Sequence, residues 1–380
     1  MTSTLELPLL APEPTPQEVT GLLDLTSRGN GALRVRNALP SPGDVVVPAA
    51  LIHRHGLRRG DAVTGHCDQP RTLSAVERVN GLSPQSLCGR PHFRDLTPLH
   101  PDRRLRLENP SGGAAMRLVD LVAPIGKGQR GLVVAPPRTG KTVLLQQIAA
   151  AVAANHPECH LMVVLVDERP EEVTDMRRSV RGEVFASTFD RPAQEHIALA
   201  ELALARAERL VEQGRDVVVL LDSLTRLCRA HNTACAAGGR TLSGGVDASA
   251  LLGPKRLFGA ARLTEQGGSL TMLATALVET GSRADDYFFE ELKGTGNMEL
   301  RLDRQLAARR VHPAVNIPAS GTRRDELLVQ EGELRAVRAL RRALHGRDPQ
   351  GALETLLDRL RHTPDNAAFL RAVHRTVPGA

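Results

Sequence analysis

GLVVAPPRTGKTVLLQQ, residues Gly131 to Gln147, sets a short strand against a helix across one turn. Gly131 to Ala135 is apolar, as a buried strand is, and the two prolines end it. Gly140-Lys141-Thr142 then open a helix predicted to run to about Asn155. Backbone N–H groups at a helix start converge on one spot where the helix dipole favours negative charge. Lys141 can bridge two phosphates there, and the Thr142 hydroxyl can ligate Mg²⁺. Ala135 stands where the P-loop pattern has its first glycine. The strand before and the helix after carry the assignment instead.

Working outward, two further apolar runs end in acids. LMVVLVDE closes on Glu168 and DVVVLLDS on Asp222. Acids at the carboxyl ends of parallel strands sit on the rim where open sheets bind ligands. Glu168 is the candidate to polarise a water for attack on a γ-phosphate, and Asp222 matches the Walker B carboxylate that holds Mg²⁺. Glu171 and Glu172 read as acids in the first turn of the next helix. Ser223, Thr225 and Arg226 follow on the γ-phosphate side. A helix is predicted over Gln194–Gly214 and a strand over Ser269–Leu277. The glycine-rich Gly126–Gly131 leads into the cradle strand and is placed near the nucleotide. The fold class is therefore α/β, with a mainly parallel sheet in the region 114–328.

With 380 residues the chain is long enough for two or three domains. Its five cysteines form no CxxC pair, which excludes a disulfide scaffold or a Cys/His zinc site and suits reduced thiols in the cytoplasm. No secretory signal precedes the first domain, and no apolar run approaches the roughly 20 residues that span a bilayer. The expectation is a soluble cytoplasmic protein with no membrane partner. Lysine occurs at four positions only, Lys127, Lys141, Lys255 and Lys293, in a chain that otherwise uses arginine. A compact ammonium is not interchangeable with a planar fork, so these four draw attention.

Upstream, residues 1–16 read as a loose tail rich in Pro, Thr and Glu. Between 17 and 80 the runs VTGLLDL, GALRV, GDVVVPAALI, GDAVTGHC and LSAVERV recur between turn signals, as in a small β-barrel of the OB or cold-shock sort. Such barrels bind single strands by stacking bases on aromatics. No Phe, Tyr or Trp precedes Phe93, so a docking or spacer role stays open beside nucleic-acid binding. Residues 81–113, rich in Pro and Arg, read as a solvated linker, and 329–380 as a helical segment. Two polar loops, the glycine-rich 236–256 and 279–286 with Arg283 at its centre, are either surface loops or the grip of a pore on a polymer.

Several long motifs resemble those of the bacterial transcription termination factor Rho family. They include VDERPEEVTDMRRSVRGEVFASTFD, VVVLLDSLTRLCRAHNT, EELKGTGNMEL and SGTRRDELL, and upstream FRDLTPLHPDRRLRLE and PIGKGQRG. The resemblance covers nearly everything beyond residue 20. It implies a RecA-type ATPase that assembles as a homohexamer and moves along single-stranded RNA. Partners would be that RNA and the RNA polymerase elongation complex with its elongation factors. By this resemblance Lys141, Thr142 and Asp222 handle phosphates and Mg²⁺, and Glu168 orients water. Gly126, Lys127, Gly128, Gln129, Arg130 and Gly131, with Arg138, Thr139, Gly140, Lys141, Thr142, Val143 and Arg169, would contact ATP. Arg323 would be an arginine finger reaching a neighbouring subunit, with Arg310 a second candidate. Arg240, Thr241, Leu242, Ser243, Gly244 and Gly245 would form the first RNA-gripping loop. Arg283 would stand in the second, with Lys293 in the same interior.

Two departures bear on function. Gly29-Asn30-Gly31-Ala32 replaces the family's Gly-Phe-Gly-Phe type stretch in the barrel, and His312 stands where a Phe commonly packs on adenine. Base–aromatic stacking contributes about 1–3 kcal/mol per base, so the first change weakens RNA loading. The alternatives are a related ring motor ATPase, or a nucleotide-binding regulator that does not load RNA efficiently.

Overall fold

The computed structural model describes residues 17–26, 29–35, 38–235 and 241–376. The expected tail 1–16, and Arg240 of the first loop, lie outside the described residues. The chain divides into two compact units, the first ending at Gly89 and the second starting at Arg90.

In the first unit, strands β1 (Gln17–Leu25), β2 (Gly31–Arg34), β3 (Val45–Val47), β4 (Ala62–Cys67) and β5 (Ala75–Val79) form one antiparallel sheet in the order β3-β2-β1-β4-β5. Helix α1 (Ala49–His55) lies between β3 and β4. A parallel contact of Val46 with Thr72 curls the sheet back on itself. The alternation of apolar and polar residues fills the inside with Leu23, Leu33, Val47, Val63 and Val79. Ala32 and Arg34 take the outer face of β2.

The second unit opens with three two-residue strands, β6 (Pro98–Leu99), β7 (Arg104–Leu105) and β8 (Ile125–Gly126), around helix α2 (Gly113–Val122). There follow β9 (Arg130–Ala135), α3 (Lys141–Asn155), β10 (His160–Glu168), α4 (Pro170–Ser179), β11 (Glu183–Thr188), α5 (Ala193–Val211), β12 (Asp216–Asp222) and α6 (Leu224–Ala234). Then come α7 (Leu252–Gly259), β13 (Arg262–Thr264), β14 (Ser269–Leu277), α8 (Arg283–Lys293), β15 (Met298–Arg301), α9 (Arg304–Ala308) and β16 (Gly321–Thr322). The sheet runs β11-β10-β12-β14-β9-β15-β16, and every pairing but that of β16 on this path is parallel. Helices cover both faces, which is why these strands read as unbroken apolar runs.

One domain boundary differs from the sequence reading. Residues from Arg90 onward are no solvated linker: Phe93, Leu96, Leu105 and Leu107 are buried, and Asp120 accepts from the backbone N–H groups of Leu107 and Glu108. The helical segment read over 329–380 is present as α10 (Glu331–Leu344), α11 (Pro349–Arg361) and α12 (Asn366–Thr376), and it packs onto the ATPase core. Val337, Leu353, Leu356 and Phe369 join the core built by Met116, Leu118 and Ile148. Arg117, buried, donates to the carbonyl of Thr363 and to Asn366. Among the described residues no helix is long and apolar enough to cross a membrane.

Candidate nucleotide site

All parallel strands end on one edge, and the sequence-predicted cradle lies there. Gly140 takes φ 89 as the residue before α3, a conformation open to glycine, and no side chain caps the helix. The N–H groups of its first turn are therefore left for an anion. Thr139, buried, donates through its hydroxyl to Pro136 O at 2.8 Å and closes the turn. Arg138 and Val143 flank it, exposed.

Lys141 Nζ lies 2.5 Å from Asp222 Oδ1 and 3.9 Å from Glu168 Oε2. Strand β14 separates the cradle strand β9 from β12, and its Thr275 hydroxyl donates to the same Asp222 oxygen at 2.8 Å. Glu168 is 2% exposed, and its Oε2 has no hydrogen-bond partner among the described residues. Burial, then the charge of Asp222, pushes its pKa above the ordinary glutamate value against Lys141 and Arg226. Arg226 stands 3.4 Å from Glu168 Oε1. A buried carboxylate oxygen that makes no hydrogen bond, beside a phosphate cradle, is suited to hold a water.

Glu172 is in the first turn of α4, as read from the sequence, but it also accepts from the Thr142 hydroxyl at 3.2 Å and pairs with Arg169 at 3.7 Å. It, Thr275 and the Arg226–Glu168 pair escaped the sequence reading. The acid-rich DERPEE run was the signal for Glu172; Thr275 carried none, because only strand order brings it to Asp222. The donor set of Thr142 hydroxyl and Asp222 carboxylate is hard oxygen, which fits Mg²⁺ completed by phosphate oxygens. Among the described residues no group of three or more His, Cys, Asp or Glu is placed to hold a metal unaided.

Beside the cradle opens a cavity of about 690 Å³ lined by Thr139, Gly140, Val143, Gln147, His312 and Arg361, among others. His312 is exposed on its wall, where a ring can stack on a base.

The segment Gly126–Arg130 does not join this cavity, contrary to the expectation that it touches the same nucleotide. It enters β9 at the opposite end, and 6 strand residues at about 3.3 Å each separate the ends by roughly 20 Å. Lys127 is occupied there, with Nζ 2.7 Å from Asp216 and 2.9 Å from Glu158. Arg323 shares that far edge. It follows β16, which runs antiparallel to β15, and its N–H donates to Asn297 O. Asn297 Oδ1 in turn accepts from Arg130 N at 2.9 Å. Arg310, exposed with φ 63, is instead two residues from His312 on the cradle edge.

Gly244 and Arg283 come together. A Cβ on Gly244 would lie 2.8 Å from Ala284 N, and the backbone of this loop is tied to α6 by Asn232, whose side chain bonds Gly245 O and Asp247 N. Arg283 is exposed at the start of α8. Lys293 lies at the far end of α8 from Arg283, ten residues and about 15 Å away, over the Phe289 ring. In the first unit, Arg34 and Arg59 are paired with Asp24 and Asp44, so they give the aromatic-poor face little free charge.

A phosphate cradle at a helix start, with the buried carboxylates of Glu168 and Asp222 on neighbouring strand ends, defines a P-loop ATPase of the RecA type. Residues 115–322 match the ATP synthase alpha/beta family, nucleotide-binding domain, and residues 19–85 match the Rho termination factor, RNA-binding domain. Transcription termination factor Rho of Streptomyces coelicolor is 68% identical over 100% of this chain, which covers 91% of that protein. That of Streptosporangium roseum is 58% identical over 99% of both. That of Streptomyces lividans is 57% identical over 95% of this chain and 52% of its own length. The chain belongs to the transcription termination factor Rho family. Among solved structures, a prototypical ATPase of a type III secretion system superposes with TM-score 0.61 at 22% identity over 74% of this chain and 88% of its own. An ATP synthase subunit from Nanoarcheaum equitans superposes with TM-score 0.60 at 16% identity over 73% and 77%. These two show the shared fold.

Proposed function

We propose that this chain is an ATP-dependent RNA translocase that works in the cytoplasm as a homohexamer and terminates transcription by pulling on RNA bound to an RNA polymerase elongation complex. One observation carries the reading. Arg323 and the cradle occupy opposite sheet edges, so the finger of one subunit can complete only a neighbour's site. The Gly126–Arg130 segment shares the edge with Arg323, and any nucleotide it meets is likewise the neighbour's.

Lys141 and the first-turn N–H groups of α3 hold the phosphates of ATP, and Thr142 and Asp222 hold Mg²⁺, which supplies charge neutralisation when bound. Glu168 orients the water that attacks the γ-phosphate, giving ADP and phosphate. Arg323 of the adjoining subunit stabilises the charge that develops. The Gly244–Arg283 pair is the RNA-gripping element, and its tie through Asn232 to α6 links it to the helix that follows Asp222. ATP hydrolysis by the pure protein across homopolymer RNAs tests this. Stimulation by polycytidylate supports the translocase. Hydrolysis indifferent to RNA refutes it and leaves the regulator, which the aromatic-free barrel face favours.

A further inference from the structure

Strand β10 does not run straight into Glu168. Its register with β11 shifts between Val166 and Glu168, and the extra residue, Asp167, has φ 57. Such a bulge re-aims the next side chain, and the left-handed turn, which aspartate adopts more readily than most residues, is set by what packs around it.

The surroundings here are a buried pair. His196, in the first turn of α5, is 5% exposed, with Nδ1 2.7 Å from Ser187 Oγ on β11 and Nε2 4.0 Å from Asp167 Oδ1. The ring faces the charges of Asp167, Glu195 and Arg226, and burial, the largest influence, pushes its pKa below the ordinary histidine value. With Nδ1 accepting from the Ser187 hydroxyl, Nε2 carries the N–H; Asp167 Oδ1 lies 4.0 Å from it, a charge contact and no hydrogen bond, and the ring also meets the backbone carbonyl of Arg191. Serine, histidine and aspartate meet here as in a nucleophilic triad. Ser187, however, is 1% exposed within the sheet, so its oxygen reaches no substrate. Neither Ser187 nor His196 lines the nucleotide cavity.

We propose that Ser187 and His196 are positioning residues for Glu168: the buried pair braces the Asp167 bulge, and the bulge aims the carboxylate at the attacking water. This rests on the reading of Glu168 as the water-orienting residue. RNA-stimulated ATP hydrolysis by the full chain tests it with Ser187→Ala, Ser187→Thr, Asp167→Gly and Glu168→Ala. Ser187→Ala should lower kcat roughly tenfold, the loss expected of one buried hydrogen bond, with KM and the ATP dissociation constant held within about twofold. Ser187→Thr, which keeps the hydroxyl, should restore most of the rate. In the D167G background Ser187→Ala should add less than about twofold, because residues acting as a unit are non-additive. A loss of the same size in both backgrounds, or one that moves KM and affinity together, overturns the inference. If Glu168→Ala abolishes hydrolysis while Ser187→Ala matches wild type, the inference alone falls. If Glu168→Ala leaves kcat unchanged, the reading of Glu168 falls and takes the inference with it. Should Ser187→Ala fail to bind ATP or assemble, His196→Gln is read by the same outcomes.

Discussion

Lesions in Lys141 and Arg323 should complement each other when subunits are mixed. The two residues sit on opposite edges of one sheet, roughly 20 Å apart along β9, too far to act on one phosphate within a chain. In a ring made only of Lys141→Ala subunits, every interface has a finger and no cradle lysine. In a ring of Arg323→Ala subunits, every interface has the lysine and no finger. Loss of an arginine finger costs about 10³–10⁵ in kcat, so each homogeneous ring should be close to inactive. In a random one-to-one mixture an interface works when its cradle comes from an Arg323→Ala chain and its finger from a Lys141→Ala chain. That is about a quarter of interfaces in a head-to-tail ring. The mixture should recover up to roughly that fraction of the wild-type rate, hundreds-fold above either parent. The assay is steady-state phosphate release after subunit exchange verified by fluorescence transfer. No recovery after verified exchange, or an Arg323→Ala ring as fast as wild type, refutes the shared site.

Three further outcomes follow from the geometry. Glu168 acts as a carboxylate, and its pKa is raised by burial and Asp222, so kcat should fall with decreasing pH along a limb lying above the ordinary glutamate pKa; Glu168→Gln should abolish that limb with the activity, and an unshifted limb contradicts the assignment. Lys127 holds Glu158 at a pKa of about 2, so the pair's contribution is present above the ordinary carboxylate pKa and lost as pH falls toward 2. Glu158 is half exposed, so solvent screening discounts its share, and Lys127→Met should cost about 1 kcal/mol of stability at neutral pH in a denaturant melt. Gly244→Ala forces a Cβ to 2.8 Å from Ala284 N at φ 74, and RNA activation should weaken roughly five- to tenfold while ATP binding persists.

The ATPase core was largely legible because buried parallel strands are continuous apolar runs with acids at their tips. The predicted strand Ser269–Leu277 and the helix from Lys141 to Asn155 coincide with β14 and α3. Chain neighbours proved a poor guide to spatial neighbours. Gly126–Arg130 adjoins the cradle strand in sequence, yet a strand carries its two ends to opposite rims. Thr275 could not be found because its role comes from β14 lying between β9 and β12, an order the sequence does not spell out. The stretch after Arg90 looked like linker through its prolines and arginines. Its buried Phe93, Leu96, Leu105 and Leu107 are too widely spaced to show a period. The arginine pairs of the first unit were likewise invisible until the strands brought Asp24 and Asp44 beside them.

The central claim is that hydrolysis at subunit interfaces drives movement along RNA. The direct measurement is release of a labelled DNA oligonucleotide annealed near the 3′ end of a cytidine-rich RNA, with ATP or with a non-hydrolysable analogue. The account predicts release with ATP, none with the analogue, and none from Lys141→Ala rings. Equal release under ATP and the analogue, or full ATP turnover without release, would contradict it.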